Sequence, residues 1–195
     1  MAVRSTPVTL FALALALALS GCVGRAQTQT QPAAAQKLAV GSMAPQFLYH
    51  LSGGSISSKD LHGHPYMLWI MATWCSSCEG GTSVVAQHIA ELRARDVRVV
   101  QLEAANDLGY RGPPLSAFQR AVGASGASSN WSWGQLTDQQ MAVLDPDGYP
   151  DIYYLVDRQG RIVDISGAPA ATWTRIANFR RVRAEANLYR LYVAL

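Results

Sequence analysis

A run of uncharged residues from Tyr66 to Ala72 leads, after Thr73, into the sequence Trp74-Cys75-Ser76-Ser77-Cys78. Such a run is typical of a central β-strand that is covered on both faces. The residues that follow have helical periodicity as far as about Arg95. One face of this helix would carry Cys78, Gly81, Val85, His88, Ile89 and Leu92. The sequence therefore predicts a strand–helix unit of an α/β fold, with two cysteines where the helix begins.

The position of these cysteines indicates their chemistry. Aligned backbone N–H groups favour an anion at a helix N-terminus, so we expect Cys75 to ionise more readily than a free thiol. Cys78 lies three residues further on, a spacing at which two sulfurs on one helix face can bond to each other. The motif therefore indicates dithiol–disulfide redox chemistry.

The N-terminal residues have the features of an export signal. Arg4 supplies a positive charge, and the apolar run from Leu10 to Leu19 is too short to span a bilayer comfortably. The run ends in Leu19-Ser20-Gly21-Cys22, which resembles the lipobox of bacterial lipoproteins. We expect residues 1–21 to be a cleaved signal peptide and the sulfur of Cys22 to carry lipid. The alternative is an ordinary signal peptide, with Cys22 incidental.

The number of cysteines agrees with lipidation. The chain has 195 residues and three cysteines, and in an exported protein an odd number leaves one cysteine without a disulfide partner. If Cys22 carries lipid, Cys75 and Cys78 remain as one pair, and in an oxidising compartment such a pair is more often redox-active than zinc-binding. The four histidines show no spacing that would complete a tetrahedral zinc site. We therefore expect no bound metal.

The remainder of the chain divides into a tether and one domain. Residues 22–37 are rich in Gln, Thr and Ala and have almost no large apolar side chains, so we expect a flexible tether. Residues 38–195 then have the size of a single domain. The net charge of +3 is too small to indicate nucleic acid as a partner.

Periodicity and turn residues predict a mixed α/β order. The predicted elements are a hairpin at 46–55, a helical turn at 58–61, strands at 65–72 and 97–104, helices at 75–95, 113–122 and 137–144, a loop at 123–130, a hairpin of 152–156 and 161–165, and a helix at 172–193. We expect Trp131 and Trp133 to be partly buried loop aromatics. This order indicates an α/β sandwich with a central mixed sheet flanked by helices and a parallel first pair of strands.

Three segments, in this order, resemble thioredoxin-like proteins of the TlpA/ResA type, a family of membrane-tethered extracytoplasmic thiol–disulfide oxidoreductases. The segments are Gly41–Phe47, Ala72–Cys78 and Gly148–Ile162. The resemblance covers roughly residues 40–170. It implies a thioredoxin-like sandwich, here with an N-terminal hairpin extension, and no cofactor.

The resemblance also implies roles for individual residues. Cys75 would be the attacking thiol and Cys78 the resolving thiol. Pro150 corresponds to the family's cis-proline opposite the sulfurs, and the backbone of Tyr149 would pair with an extended substrate segment. Trp74 would cover the sulfurs. The alternatives are an ordinary turn at Pro150 and a solvent-exposed ring at Tyr149.

The sequence departs from the family where a carboxylate often lies near the sulfurs. In thioredoxin this carboxylate lies at the position that Trp69 occupies here. In many relatives it lies at the position that Gly81 occupies here. Glu79 is the only nearby carboxylate in the sequence, and we expect it to be a solvated residue of the first helical turn. A buried acid can relay protons while a mixed disulfide resolves, and neither of these two positions supplies one here.

Taken together, these features predict an extracytoplasmic thiol–disulfide oxidoreductase that is lipid-anchored in the cell envelope and faces the periplasm or extracytoplasmic space. The resemblance favours reduction of disulfides in exported proteins, with a membrane redox partner that restores the dithiol. One alternative is a copper-binding, metallochaperone-like module in which Cys75 and Cys78 hold Cu(I). Another is an anchored scaffold with a purely structural disulfide, although so short a loop constrains the unfolded chain little.

Overall fold

The computed structural model of the protein describes residues 37–124 and 129–179. The predicted signal peptide, the predicted lipidation site Cys22 and nearly all of the predicted tether lie outside these residues. Residues 180–193 of the predicted terminal helix lie outside them as well. The predicted division into a signal peptide, a tether and a domain therefore stays a prediction.

Strands and helices alternate through most of the described chain. The strands are β1 (Leu48–Leu51), β2 (Gly54–Ser57), β3 (Tyr66–Met71), β4 (Arg98–Glu103), β5 (Trp131–Gln135), β6 (Ile152–Val156) and β7 (Ile162–Gly167). The α-helices are α1 (Ser76–Ala94), α2 (Leu115–Ala121), α3 (Asp138–Leu144) and α4 (Trp173–Asn178). Short 3-10 turns occupy Ser58–Leu61 and Ala105–Gly109.

The described strands form one mixed sheet in the order β2-β1-β5-β4-β3-β6-β7. Strands β3, β4 and β5 run parallel, while β1, β2, β6 and β7 pair antiparallel with their neighbours. Leu68 of β3 lies between Val100 of β4 and Tyr154 of β6. All six residues of β3 are buried. The prediction of a central, doubly covered strand is confirmed, as are the parallel β3–β4 pair and the N-terminal hairpin.

Alternation along β3 separates two hydrophobic clusters. One cluster, which we call the disulfide-side cluster, includes Met67, Trp69, Met71, Cys75, Cys78, Val85 and Leu92. The other, which we call the opposite cluster, includes Leu68, Ile70, Val100, Leu102, Met141 and Leu144. Since successive side chains of a strand point to opposite faces, β3 contributes to both clusters and places α1 on the face of Trp69. Each fully buried aliphatic side chain contributes roughly 1.5–3 kcal/mol to this packing.

Strand β5 corrects one prediction from the sequence. Trp131 and Trp133 are buried in this strand, not partly buried in a loop, and their rings stack with centroids 5.0 Å apart. The indole nitrogen of Trp131 donates to Gln101 Oε1 of β4 at 3.2 Å. The sequence Trp-Ser-Trp-Gly is short and follows a small, polar segment, so the strand depends on parallel pairing with β4.

The C-terminal helix corrects a second prediction from the sequence. Helix α4 begins as expected but ends at Asn178, because Phe179 has the non-helical angles φ −55° and ψ 119°. The prediction of one unbroken helix from Thr172 to Val193 is therefore wrong at Phe179. Within the described ranges, none of the helices has both the length and the apolar character that crossing a membrane requires.

Candidate active site

Cys75 and Cys78 lie where β3 gives way to α1. Cys75 is the N-cap of α1 and has extended backbone angles, φ −85° and ψ 114°. Its Sγ accepts a hydrogen bond from the backbone N–H of Cys78 at 3.2 Å. The helix thus starts at the first cysteine, as the sequence predicts, and a helix-terminal N–H group is directed at the sulfur.

The two cysteines form a disulfide with their Cα atoms 5.2 Å apart. Cys78 is fully buried, whereas 5% of Cys75 is exposed. The hydroxyl of Ser77 lies 3.2 Å from Cys75 Sγ. Cys75 is therefore the more accessible of the two sulfurs, and its role as the attacking thiol stays a prediction.

A buried aspartate that the sequence analysis missed holds the loop before the cysteines. Asp107 accepts hydrogen bonds at 2.7 Å from both the backbone N–H and the hydroxyl of Thr73. Its backbone oxygen accepts from the indole N–H of Trp74, also at 2.7 Å. Asn106, Asp107 and Leu108 all have positive φ, between 50° and 58°, a left-handed conformation that is uncommon for residues other than glycine and strained above all at Leu108. The sequence did contain one signal that Asp107 lies near the cysteines, because Asp107 comes shortly after β4. The carboxyl ends of neighbouring parallel strands, such as β3 and β4, meet at one edge of the sheet.

The absence of a side chain at Gly112 allows the chain at this residue to lie close to the loop that holds Thr73 and Trp74. A Cβ at this position would overlap Thr73 Oγ1 and Asp107 Oδ2 and would lie 2.7 Å from the backbone nitrogen of Trp74. A cleft of about 690 Å³ opens beside the loop and is lined by residues 103–107, 110–114 and 135–138. The site therefore combines a fixed loop with an adjoining open cleft.

Aromatic side chains at the surface accompany the motif. Trp74 is 38% exposed, and its ring packs against that of Tyr110 with centroids 4.8 Å apart. Tyr149 is 60% exposed, and its backbone N–H donates to Asp145 Oδ1 at 3.0 Å. The exposed ring at Tyr149 agrees with the alternative kept open for it.

The peptide bond before Pro150 is trans, so the prediction of a cis-proline is wrong. Positive φ values at Gly148 (66°) and Asp151 (74°) bend the chain on either side of Pro150. Asp145 caps this turn by accepting from the backbone of Tyr149. The chain therefore enters β6 without a cis bond.

A second missed carboxylate lies beside the disulfide. The two sulfurs of Cys75 and Cys78 and a carboxylate oxygen of Asp151 all lie within 4.8 Å of one another. Asp151 is only 4% exposed, and its Oδ1 accepts from the indole N–H of Trp69 at 2.9 Å. Burial raises the pKa of Asp151, while the Ser77 hydroxyl and the Trp69 indole lower it in part.

Only the tertiary structure brings this acid to the sulfurs. Asp151 is far from the motif in sequence and reaches it because β6 pairs antiparallel with β3, with Ile152 opposite Ile70. Its position immediately after Pro150, a residue already assigned to the site, was the one available signal. Glu79, the carboxylate that the sequence does place nearby, is exposed, as expected.

Histidines do not join this group. Within the described residues, the cluster around the two sulfurs contains Asp151 and no histidine. His64 pairs with Asp96, and His88 pairs with Glu91. The arrangement is suited to thiol–disulfide exchange.

Comparison with known proteins agrees with this geometry. Over 96 residues the chain is 32% identical to the thiol-disulfide oxidoreductases ResA of Bacillus thuringiensis (strain Al Hakam) and of Bacillus anthracis. In each case the match covers 49% of this chain and 56% of the relative, so the chain spans about half the length of the curated relatives it matches. No protein-family model matches the sequence.

Solved structures show the fold. The thioredoxin domain of a thiol-disulfide oxidoreductase from Bacteroides vulgatus superposes with a TM-score of 0.56 at 18% identity, covering 72% of this chain and 99% of that one. A thiol:disulfide interchange protein from Bacteroides sp. gives a TM-score of 0.55 at 20% identity, covering 74% and 93%. The predicted thioredoxin-like fold, a mixed sheet flanked by helices, is confirmed.

Proposed function

We propose that this protein, whose fold is thioredoxin-like, is an extracytoplasmic thiol–disulfide oxidoreductase in which Cys75 and Cys78 alternate between dithiol and disulfide. The observation that carries the proposal is the Cys75–Cys78 disulfide at the N-terminus of α1, with Cys75 the more exposed sulfur. The similarity to the ResA proteins supports the same chemistry.

The exchange proceeds through a mixed disulfide. The Cys75 thiolate attacks one sulfur of a substrate disulfide, and the other substrate sulfur leaves as a thiolate that takes up a proton. The Cys78 thiolate then attacks Cys75 Sγ, which releases the second substrate thiol and closes the Cys75–Cys78 bond. Two electrons pass to the substrate. The backbone N–H of Cys78, which points at Cys75 Sγ, stabilises the thiolate that starts the reaction.

Substrates are proposed to be disulfides of exported proteins. The exposed rings of Trp74 and Tyr149, with the backbone at Pro150, are the proposed binding surface beside Cys75. Aromatic rings supply large contact area at protein surfaces that bind other proteins. A membrane redox partner is proposed to return the disulfide to the dithiol.

The proposed location is the cell envelope, with a lipid on Cys22 anchoring the protein and the domain facing the periplasm or extracytoplasmic space. The signal-like run before Cys22 and the tether composition of residues 22–37 support this location. Nucleic acid is not among the proposed partners, since the net charge is only +3.

Three single cysteine variants of the full-length protein test these assignments in the insulin-disulfide reduction assay. Cys75→Ser should abolish activity, because no thiolate remains to attack. Cys78→Ser should retain a reactive Cys75 and accumulate a mixed disulfide, detected as a mass increase that reductant removes. Cys22→Ser is the matched control: it should keep full activity but lose fatty-acid labelling and partition away from membranes.

Other results would contradict specific parts of the proposal. Retention of insulin reduction by Cys75→Ser would exclude the exchange mechanism. Stoichiometric Cu(I) binding by the reduced protein without any disulfide exchange would favour the copper-binding alternative instead. Fatty-acid labelling that persists in Cys22→Ser would exclude the proposed anchor.

A further inference from the structure

Asp151 places a buried carboxylate beside the disulfide. Its side chain is more than nine-tenths buried, and it lies within 4.8 Å of the sulfurs of Cys75 and Cys78. Oδ1 accepts from the indole N–H of Trp69, the nearby Ser77 hydroxyl also stabilises the carboxylate, and Oδ2 is buried without a hydrogen bond of normal geometry among the described residues. A buried carboxylate oxygen without such a hydrogen bond is costly, so its retention beside reactive sulfurs suggests a role in their chemistry.

Trp69 and Gly81 together explain how the carboxylate is placed. A Cβ at Gly81 would lie 3.1 and 3.2 Å from ring carbons of Trp69 and 3.0 Å from Cδ of Pro169. The indole therefore occupies the space that a side chain at residue 81 would need. From that space its N–H reaches across to Asp151 at 2.9 Å. Gly81 thus leaves room for the indole of Trp69, and the indole in turn holds the carboxylate of Asp151, the residue just before β6.

We propose that Asp151 is the proton acceptor for the Cys78 thiol when the mixed disulfide resolves, and that Trp69 is the residue that positions it. This inference rests on the proposed function. In the step, the Cys78 S–H bond breaks and its proton passes to the Asp151 carboxylate. The Cys78 sulfur then bonds to Cys75 Sγ, and the bond between Cys75 and the substrate sulfur breaks. The departing substrate thiolate takes a proton from water, and Asp151 returns its proton to solvent or, in the reverse direction, to Cys78.

The surroundings of Asp151 are suited to this transfer. Among the described residues, the titratable groups that face it are the sulfurs of Cys75, the N-cap of α1, and of Cys78 in its first turn. Trp69 of β3 and Ser77 of α1 contribute only uncharged polar groups, and Ala168, the residue after β7, donates its backbone N–H to the backbone oxygen of Asp151. Burial raises the pKa of Asp151 and so brings it closer to that of a thiol, which makes the carboxylate a better-matched base.

The test separates the two sulfurs by their order of reaction. Reduced protein, carrying Cys22→Ser so that two thiols remain, is mixed with the aromatic disulfide dithiobis-nitrobenzoate. Attack by Cys75 releases one equivalent of coloured thiolate, and resolution by Cys78 releases the second. In Asp151→Asn the first release should be unchanged or faster, because a negative charge beside Cys75 is removed. The second should be at least about tenfold slower at pH 7.

The pH profile provides the readout that a structural role would not change. Resolution in the parent protein should increase as Asp151 loses its proton and then level off. In Asp151→Asn this rise should disappear, and the rate should instead increase towards the range in which the Cys78 thiol ionises by itself. Trp69→Phe, which removes the N–H that stabilises the carboxylate, should move the rise to higher pH.

Glu79→Gln is the matched control, since Glu79 is an exposed carboxylate in the same turn of α1 as Cys78. Its second release should stay within about twofold of the parent rate. A second release in Asp151→Asn as fast as in the parent, with the same pH profile, would overturn the inference and leave the proposed function intact. Absence of the first release in the parent itself would overturn the proposed function instead.

Discussion

At the scale of single residues, Asp151 illustrates an opposition between stability and chemistry. Its carboxyl is buried, its Oδ2 has no hydrogen bond of normal geometry among the described residues, and its backbone has φ 74°. Asp and Asn tolerate this left-handed conformation better than most residues, so strain alone does not account for the choice of an acid. Burial of the charge opposes folding, because the pKa of Asp151 is raised above its usual 3.8.

Asp151→Asn should therefore stabilise the oxidised protein at neutral pH. The raised pKa means that the folded state holds this proton over a pH range in which the unfolded state has lost it. The contribution of Asp151 to stability thus falls as pH rises through that range. Asparagine removes this loss, and we expect a gain of roughly 1–2 kcal/mol at pH 7 in urea unfolding. The gain should shrink as the pH is lowered towards about 4. A variant less stable than the parent at pH 7 would contradict this prediction.

At the scale of secondary-structure elements, the start of α1 contains two glycines with different surroundings. A Cβ at Gly80 would have no atom within 4 Å, whereas one at Gly81 would press on Trp69 and Pro169. Gly80 therefore weakens the helix without any packing reason visible among the described residues. Gly81 is required by the close approach of the indole.

Gly80→Ala and Gly81→Ala form a matched pair. Both should gain the helix propensity of alanine, about 0.5–1 kcal/mol in the free energy of unfolding. Only Gly81→Ala must displace two rigid rings, so it should be at least about 1 kcal/mol less stable than Gly80→Ala. Urea denaturation of the two variants measures the difference. Equal free energies of unfolding would contradict this prediction and would mean that the ring of Trp69 moves aside without loss of stability.

The secondary-structure predictions succeeded where the pattern that indicates an element lies within that element's own sequence. The helical face of α1, the helix predicted at 137–144 and the turn between β6 and β7 are all local patterns. The prediction failed for β5 and at Phe179, where α4 has already ended. In β5, pairing with β4 gives the short Trp-Ser-Trp-Gly sequence its conformation. Local propensity does not contain that information.

At the scale of the whole molecule, the sheet separates the reactive site from half of the core. The disulfide-side cluster contains Cys75 and Cys78, while the opposite cluster contains Leu102 and Leu144. Both leucines are fully buried. Stability and thiol reactivity should therefore respond separately to changes on the opposite face.

Leu102→Ala should lower the free energy of unfolding by about 2–5 kcal/mol, because it leaves a cavity in a packed core. The rate at which Cys75 releases the first coloured thiolate should stay within about twofold of the parent rate while the protein is folded. Leu144→Ala, in the same cluster, provides a second test of the same kind. A marked change in Cys75 reactivity in both folded variants would show that the two faces are coupled.

The sequence by itself determined the strand–helix unit that carries the cysteines, the mixed α/β order and the hairpins. Each of these follows from residues that are neighbours in the chain, so periodicity and turn chemistry are sufficient. The trans bond before Pro150, strand β5 and the carboxylate of Asp151 beside the disulfide were decided only by the tertiary structure. Asp151 reaches Cys78 because the register of β6 on β3 aligns Ile152 with Ile70. That register is set by packing on both faces of the sheet, which involves residues far apart in the sequence.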